Sequence, residues 1–211
     1  MTSTPRDPAT ESVPDGPELK QERAFLTRAQ ILSAAAELFA EKGYRTTSML
    51  NVADRVGMTK GAVYFHFRSK EALALAVVEN HYGRWPAVIE EVRATGLGPM
   101  DTLREVLDRA AQAFHTDPVM QAGARLQLER PLIEADLPQP YVSWAGLLTD
   151  LMEQAREDGE LRPGVEPEAA ARVLLSAFFG MQHISDALSR RSDILQRWEE
   201  MRSLLFYALR A

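Results

Sequence analysis

The 211-residue chain contains no cysteine, so it has no disulfide framework and no thiolate that could act as nucleophile or metal ligand. It has no apolar run near the ~20 residues a membrane span requires. Its first residues show no positive-then-apolar secretory pattern, so a cytoplasmic protein without a membrane partner is expected. The usual enzyme signatures are missing too: there is no Gly-x-Ser-x-Gly, no His-Glu-x-x-His and no phosphate-cradling glycine loop. The histidines at 66, 81, 115 and 183 lack metal-ligand spacing. No catalytic residue, cofactor or metal is expected, and a helical enzyme is the weakest reading. Strand-like alternation and internal repeats are also absent.

What is present is a 45% hydrophobic composition, enough for a substantial core at this length, and an ordinary 26% of charged residues. The net charge of -6 is unevenly spread. Residues 1–19 carry one base and four acids, residues 20–80 nine bases and six acids, and residues 81–211 fourteen bases and twenty acids. The basic excess lies in a single segment, where a nucleic-acid footprint would fall. The acidic remainder would discourage indiscriminate adhesion to DNA.

Residues 1–19 hold Pro5, Pro8, Pro14, Gly16 and Pro17 and almost no large apolar side chain, so a disordered tail is expected there. Everything after it reads as helix. Thr27 and Gln30 have capping-box spacing and open a helix over about 28–42, with Ile31, Leu32, Ala35, Leu38 and Phe39 in one stripe and Gly43 as its stop. A second helix over about 48–56 takes Thr47 as cap, a third over about 60–67 takes Thr59, and Ser69 caps a longer one through Trp85 towards Arg93. The loop around Gly96, Gly98 and Pro99 is the first large break. Further helices are expected near 101–115, 118–130, 138–158, 167–189 and 193–209. The one at 167–189 is apolar on more than one face, so it and the last helix would either build a thick monomeric core or pack on a second copy as a four-helix bundle.

The run from Asn51 to Phe67 has the makings of a helix-turn-helix. Ala53 is small where two helices cross, Gly57 permits a left-handed turn, and Val52, Val56 and Val63 supply the contacts between them. The second helix would present Lys60, Tyr64 and His66. Lys60, near its start, is placed for guanine O6 and N7, while Tyr64 and His66 suit phosphate oxygens, as do Thr47 and Lys70 at neighbouring helix starts. A plain helical hairpin remains open on spacing alone, and Tyr64, Phe65 and Phe67 read equally well as core.

The whole run is more specific than its parts. Arg28-Ala-Gln-Ile-Leu-Ser-Ala-Ala-Ala-Glu-Leu-Phe39, Gly43-Tyr44, Met58-Thr-Lys-Gly-Ala-Val-Tyr-Phe-His-Phe67 and Ser69-Lys70-Glu71 resemble the TetR family of repressors. The resemblance implies an all-α fold, with an N-terminal three-helix DNA-binding domain over 20–70 and a helical ligand-binding and dimerisation domain over 71–211. It also implies a homodimer through the two C-terminal helices, held on double-stranded operator DNA until a ligand releases it. On this resemblance the DNA-binding residues are Arg28, Thr47, Thr59, Lys60, Gly61, Tyr64, His66 and Lys70. In the second half, 117–126 and 137–144 are similar to the γ-butyrolactone receptors of antibiotic-producing actinomycetes. The tracts 77–86 and 177–183 are more similar to the subgroup that answers furan carboxylic acids, the methylenomycin furan type.

A pocket for such a signal should be apolar with a few placed polar groups. By resemblance Trp144 supplies the ligand-contacting indole, and Tyr82, Gln127 and Tyr141 the polar contacts. Tyr141 and Trp144, three apart, should share a helix face. Phe114, Phe178 and Phe179 would wall an alkyl chain, although each reads as well as plain core. Arg125 would counter a carboxylate or pair with a nearby acid. Gln182 and His183 suit an interface or core hydrogen bond better than a ligand. The expected function is a repressor of antibiotic or other secondary-metabolite genes, released by a furan carboxylic acid or γ-butyrolactone. A pseudo-receptor that answers an antibiotic or no ligand keeps the same fold.

Overall fold

The computed structural model describes residues 17–211, with side chains from residue 21. The tail expected over 1–19 lies outside the described residues up to 16, and residues 17–19 instead open the first helix.

That helix, α1 (Pro17–Thr46), begins well before the expected start. Pro17 occupies its first turn, where the missing N–H costs nothing, and the Glu, Leu, Lys and Gln residues that follow all favour helix. The capping box expected at Thr27 is therefore absent; the Thr27 hydroxyl donates to Arg23 O at 2.8 Å, a bond to the preceding turn. Gly43 does interrupt α1, with φ 79° and ψ 176°. Helix α2 (Met49–Val56) is capped by Ser48 rather than Thr47, through a reciprocal pair with Asn51: Asn51 N–H to Ser48 Oγ at 3.2 Å and Ser48 N–H to Asn51 Oδ1 at 3.0 Å. Gly57, at φ 67°, ends α2 in the left-handed turn that leads to α3 (Lys60–His66). Thr59 caps α3 and Ser69 caps α4 (Lys70–Gly83).

The long helix expected after Ser69 is two. Pro86 cannot donate to the preceding turn, so the chain bends at Arg84 and restarts as α5 (Trp85–Arg93). Then come α6 (Pro99–Thr116), α7 (Pro118–Leu128), a 3₁₀ turn (Arg130–Leu132), α8 (Val142–Glu157), α9 (Pro167–Ser189) and α10 (Ile194–Leu209). Helix α8 starts four residues later than expected, because Pro138 and Pro140 keep the chain out of helical geometry. Tyr141 sits at its start in the left-handed region, φ 66°, so the helix face expected to join it to Trp144 does not exist.

The core forms two clusters. One gathers Ile31, Leu38 and Phe39 of α1, Val52, Val63 and Leu73 of α2–α4, and Val119, Ala122 and Leu126 of α7. The other gathers Leu103 and Phe114 of α6, Leu148 of α8, Leu174 and Phe178 of α9 and Trp198 of α10. Tyr82, at the end of α4, packs against both. Helix α7 thus completes the core of the first four helices while facing the second half of the molecule with its other side.

Candidate functional site

The short helix α3 is anchored by Val63, fully buried, and by Phe67 just beyond it. The remaining residues point outwards. Lys60, Gly61, Tyr64 and Phe65 are exposed, Phe65 to 82%. Phe65 lies two positions from Val63, about 200° around a helix, so its exposure follows from Val63 being inside. The aromatic triplet therefore splits: Phe67 is core, Tyr64 and Phe65 are surface. The Lys60 ammonium sits 5.6 Å from the centre of the Tyr64 ring, and the Arg28 guanidinium 4.7 Å from that of Phe67. His66 is half-buried, edge-on to Phe65 at 5.3 Å. The Thr59 hydroxyl is spent on its cap.

Two expected contacts are turned inwards instead. Thr47 is buried, and its hydroxyl donates to Gly43 O at 2.8 Å, where it repairs the carbonyl freed by the break in α1; Ser48 is the exposed hydroxyl at the start of α2. The Lys70 ammonium donates to Tyr44 O at 2.9 Å and lies 4.0 Å from that ring's centre. What remains is an exposed basic and aromatic set, Arg28, Lys60, Tyr64 and Phe65, with Gly61 on the same helix; Ser48 is exposed too, but its hydroxyl is spent on the α2 cap. A Cβ at Gly61 would meet nothing closer than 3.9 Å, so nothing inside the chain requires glycine there. Gly61→Ala should therefore raise stability by about 0.5–1 kcal/mol. If a DNA backbone approaches this point, the same change weakens DNA binding; thermal melts and fluorescence anisotropy on one sample separate the two effects.

The end of α1 is clamped from two sides. The Tyr44 phenol donates to Glu71 Oε1 on α4 at 2.6 Å; burial and this carboxylate raise the phenol's pKa, and the bond lowers that of Glu71. From α7, Arg125 donates to Ala40 O at 2.9 Å, and Glu129 accepts the Tyr44 N–H at 2.5 Å. Arg125 also pairs with Glu129 at 3.2 Å, so it belongs to this clamp rather than to a ligand's carboxylate. A Cβ on Gly43 would overlap both side chains.

The opposite side of α7 faces a cleft. Its outer part, about 480 Å³, lies between the α4–α5 bend and α8, lined by Tyr82, Trp85, Pro86, Ile89, Trp144 and Leu147 among others. A small recess continues inwards between His81, Gln127, Tyr141 and Phe179, sharing Tyr82 and Trp144 with the outer part. The walls are mostly apolar and the floor is polar. Gln127 donates to Pro138 O at 3.0 Å, while its Oε1 finds no partner. Burial, with the Tyr141 phenol beside it, raises the pKa of Tyr82 against weaker opposition from the Tyr141 amide and Gln127; burial raises that of Tyr141. Both phenols stay protonated at neutral pH and can donate to an anion.

His81 crosses α7 at Gly123, where a Cβ would collide with the imidazole. The ring is 4% exposed, with Nδ1 unpaired. Burial lowers its pKa from 6.5 to about 4; Asp117 pulls it up and Arg84 pushes it down by lesser amounts. The folded state therefore favours the neutral ring. The ring's contribution to stability should be full above about pH 6.5 and lost as pH falls from there through about 4, by up to about 3 kcal/mol. Urea titrations across that window should show a steeper loss for the wild type than for His81→Phe.

Residues 31–77 match the family described as bacterial regulatory proteins, tetR family, and residues 100–210 match the tetracyclin repressor-like C-terminal domain. The chain belongs to the TetR family. The A-factor receptor protein of Streptomyces griseus is 32% identical over 182 residues, a stretch covering 86% of this chain and 63% of that protein. A solved structure described as the molecular basis for control of antibiotic production by bacterial hormones is 64% identical, with a TM-score of 0.82, covering 88% of this chain and 98% of that one. CprB from Streptomyces coelicolor, solved in complex with its biological operator sequence, is 28% identical with a TM-score of 0.75, covering 89% and 90%. A solved γ-butyrolactone receptor, described as an ArpA-like protein, is 28% identical with a TM-score of 0.75, covering 89% of this chain and 90% of that one. The families and relatives are transcriptional regulators, not enzymes.

In this TetR-family chain, Tyr82, Gln127, Tyr141 and Trp144 come together at one cleft. Phe114 and Phe178 do not: both are fully buried, 6.2 Å apart ring to ring, and Phe178 leans on Trp198 at 5.1 Å. They support Phe179, the phenylalanine that reaches the recess. The residues missed from sequence were Phe65 and Ser48 on the exposed face and Trp85 and His81 at the cleft. Helical spacing from Val63 carried a signal for Phe65. Ser48 had capping spacing to Asn51, and nothing local marked Trp85 or His81.

Proposed function

We propose that the protein is a homodimeric repressor that binds a pseudo-palindromic operator through α3. It is released when a small furan carboxylic acid or γ-butyrolactone enters the cleft, and so controls antibiotic or other secondary-metabolite genes. The observation that carries this reading is the shared framework of the two sites. Helix α4 runs from the clamp on α1, at Glu71, to the cleft, at Tyr82, and the end of α7 presents Gln127 to the cleft and Arg125, with Glu129 just beyond, to the clamp. The A-factor receptor and the hormone-related structure support the class of signal, and the CprB complex supports operator binding.

The signal's carboxylate or lactone carbonyl takes Tyr82, Tyr141 and Gln127, with Trp144 beside it. Its alkyl part lies against Pro86, Ile89 and Leu147 in the outer cleft rather than against Phe114 and Phe178. The recess is small in this state, so a ligand has to displace Tyr141 or Trp144, and the movement passes to α4 and α7. Lys60 and Phe65 read base edges, Phe65 suiting a thymine methyl. Dimerisation uses the exposed apolar stripe Val173, Ile184 and Leu188 of α9 with Leu204 and Tyr207 of α10. In the dimer the two α3 helices must sit about 34 Å apart, or a multiple, to meet successive major grooves. A ligand that favours another spacing lowers operator affinity.

The test is a mobility shift with DNA from upstream of the protein's own gene, repeated at rising salt. A specific complex that weakens steeply with salt supports the reading. Failure to bind any promoter segment better than scrambled DNA contradicts it.

A further inference from the structure

A second cavity, about 650 Å³, lies apart from the cleft, on the other side of α7 at its junction with α1 and the end of α9. Its walls mix apolar residues such as Ala40, Pro118, Leu128 and Ala187 with charged ones. The carboxylates that face it are already matched. Glu37 and Glu41 are held by Arg55 at 2.7 and 3.2 Å, Glu129 by Arg125, and Asp186 lies 3.0 Å from Arg191.

The guanidinium donors are matched only in part: Arg191 has the Asp186 charge beside it but not its hydrogen bonds. Arg191 is only 5% exposed, yet its Nε and Nη2 make no hydrogen bond; the N–H directions miss Asp186 despite the short separation. A buried guanidinium with unmet N–H groups is costly unless something accepts them. Burial lowers its pKa, Asp186 opposes this, and the nearby Arg125 lowers it further. The backbone is bent to put it there. Arg190 and Arg191 both adopt left-handed geometry, φ 50° and 66°, which non-glycine residues seldom hold without support from their surroundings. Arg190, exposed at the rim, makes no side-chain ion pair among the described residues, and His183 lies on the same wall.

We propose that this cavity is a second ligand site, for a small organic acid whose anionic group is taken by Arg191 and Arg190 while its apolar body lies against Ala187 and Leu128. The cavity volume suits a small molecule, and its mixed lining suits an anion carried on an apolar frame rather than bare phosphate. The same wall carries the Arg125–Glu129 pair, whose guanidinium holds α1 through Ala40 O. Occupancy therefore acts on the same clamp as the cleft, from the opposite side of α7.

Benzoate is a suitable probe, titrated into the full-length protein by calorimetry, with benzamide as its neutral counterpart. The wild type should bind benzoate and not benzamide. Arg190→Glu, which changes an exposed residue, and Ala187→Trp, which fills the mouth, should each weaken benzoate by about ten-fold or more. Tyr82→Phe, in the cleft, should leave the Arg190-dependent part of benzoate binding unchanged. In ¹⁵N-detected spectra the Arg191 Nε–H resonance should move on addition of benzoate. The proposal is overturned if the wild type binds no benzoate, if benzamide binds equally well, or if Tyr82→Phe abolishes binding while Arg190→Glu and Ala187→Trp retain it.

Discussion

Lys60→Ala should remove specific operator binding while leaving the fold untouched. The side chain is exposed, and its one aromatic neighbour, Tyr64, is 5.6 Å away, so little native packing is lost. A lysine or arginine on a guanine edge contributes about 1–3 kcal/mol of discrimination per half-site. In a symmetric dimer both copies are lost together, so the specific complex should weaken by about 2–6 kcal/mol, roughly 30-fold to 10⁴-fold. Non-specific binding rests on phosphate contacts and should fall much less. Anisotropy titrations on cognate and scrambled DNA read both quantities. A variant that still separates the two as the wild type does would mean that α3 does not enter the groove as described.

Trp144 carries the second large effect, and the structure changes how it should be tested. The indole is 3% exposed, 4.9 Å from the Trp85 ring and 5.9 Å from Phe179, so it is both cleft wall and core. Trp144→Ala should cost about 3–5 kcal/mol of stability. For a chain of this size that is a melting temperature lower by roughly 6–20 °C. Loss of signal response in that variant would say little about ligand contact. Trp144→Phe keeps an aromatic wall and removes the indole N–H. It should fold, bind operator as the wild type does, and require far more signal for release. A Trp144→Phe protein released at the wild-type concentration would remove Trp144 from the signal site.

The parts of this molecule legible in the sequence are those set by local rules. The Thr59 and Ser69 caps, the Gly57 turn and the burial of Val63 depend on neighbours within a few residues, and they define α3 almost to the residue. Local rules also misled. Thr27 and Gln30 have the spacing of a helix start, yet the helix-favouring residues after Pro17 carry α1 straight through them. Thr47 resembled a cap as much as Ser48 did, and only the break at Gly43 decides which hydroxyl turns inwards.

The cleft was legible in part, because Tyr82, Gln127, Tyr141 and Trp144 were carried over by resemblance and do converge. Phe114, Phe178 and Phe179 offered no such guide. Their helical spacing is equally good for core and for pocket, and the neighbours that separate them come from α10 and from the turn before α8. Arg191 drew no notice, since its burial depends on two left-handed residues that no local pattern announces.

The central claim is that a ligand in the cleft releases α3 from DNA. The most direct measurement titrates a panel of alkylated furan carboxylic acids and γ-butyrolactones into the complex of full-length protein with its own promoter DNA, followed by anisotropy. The account predicts saturable release by at least one member of the panel, lost in Trp144→Phe, from a dimer that remains folded. A complex that survives saturation of the cleft, shown by calorimetry on the same sample, would contradict it.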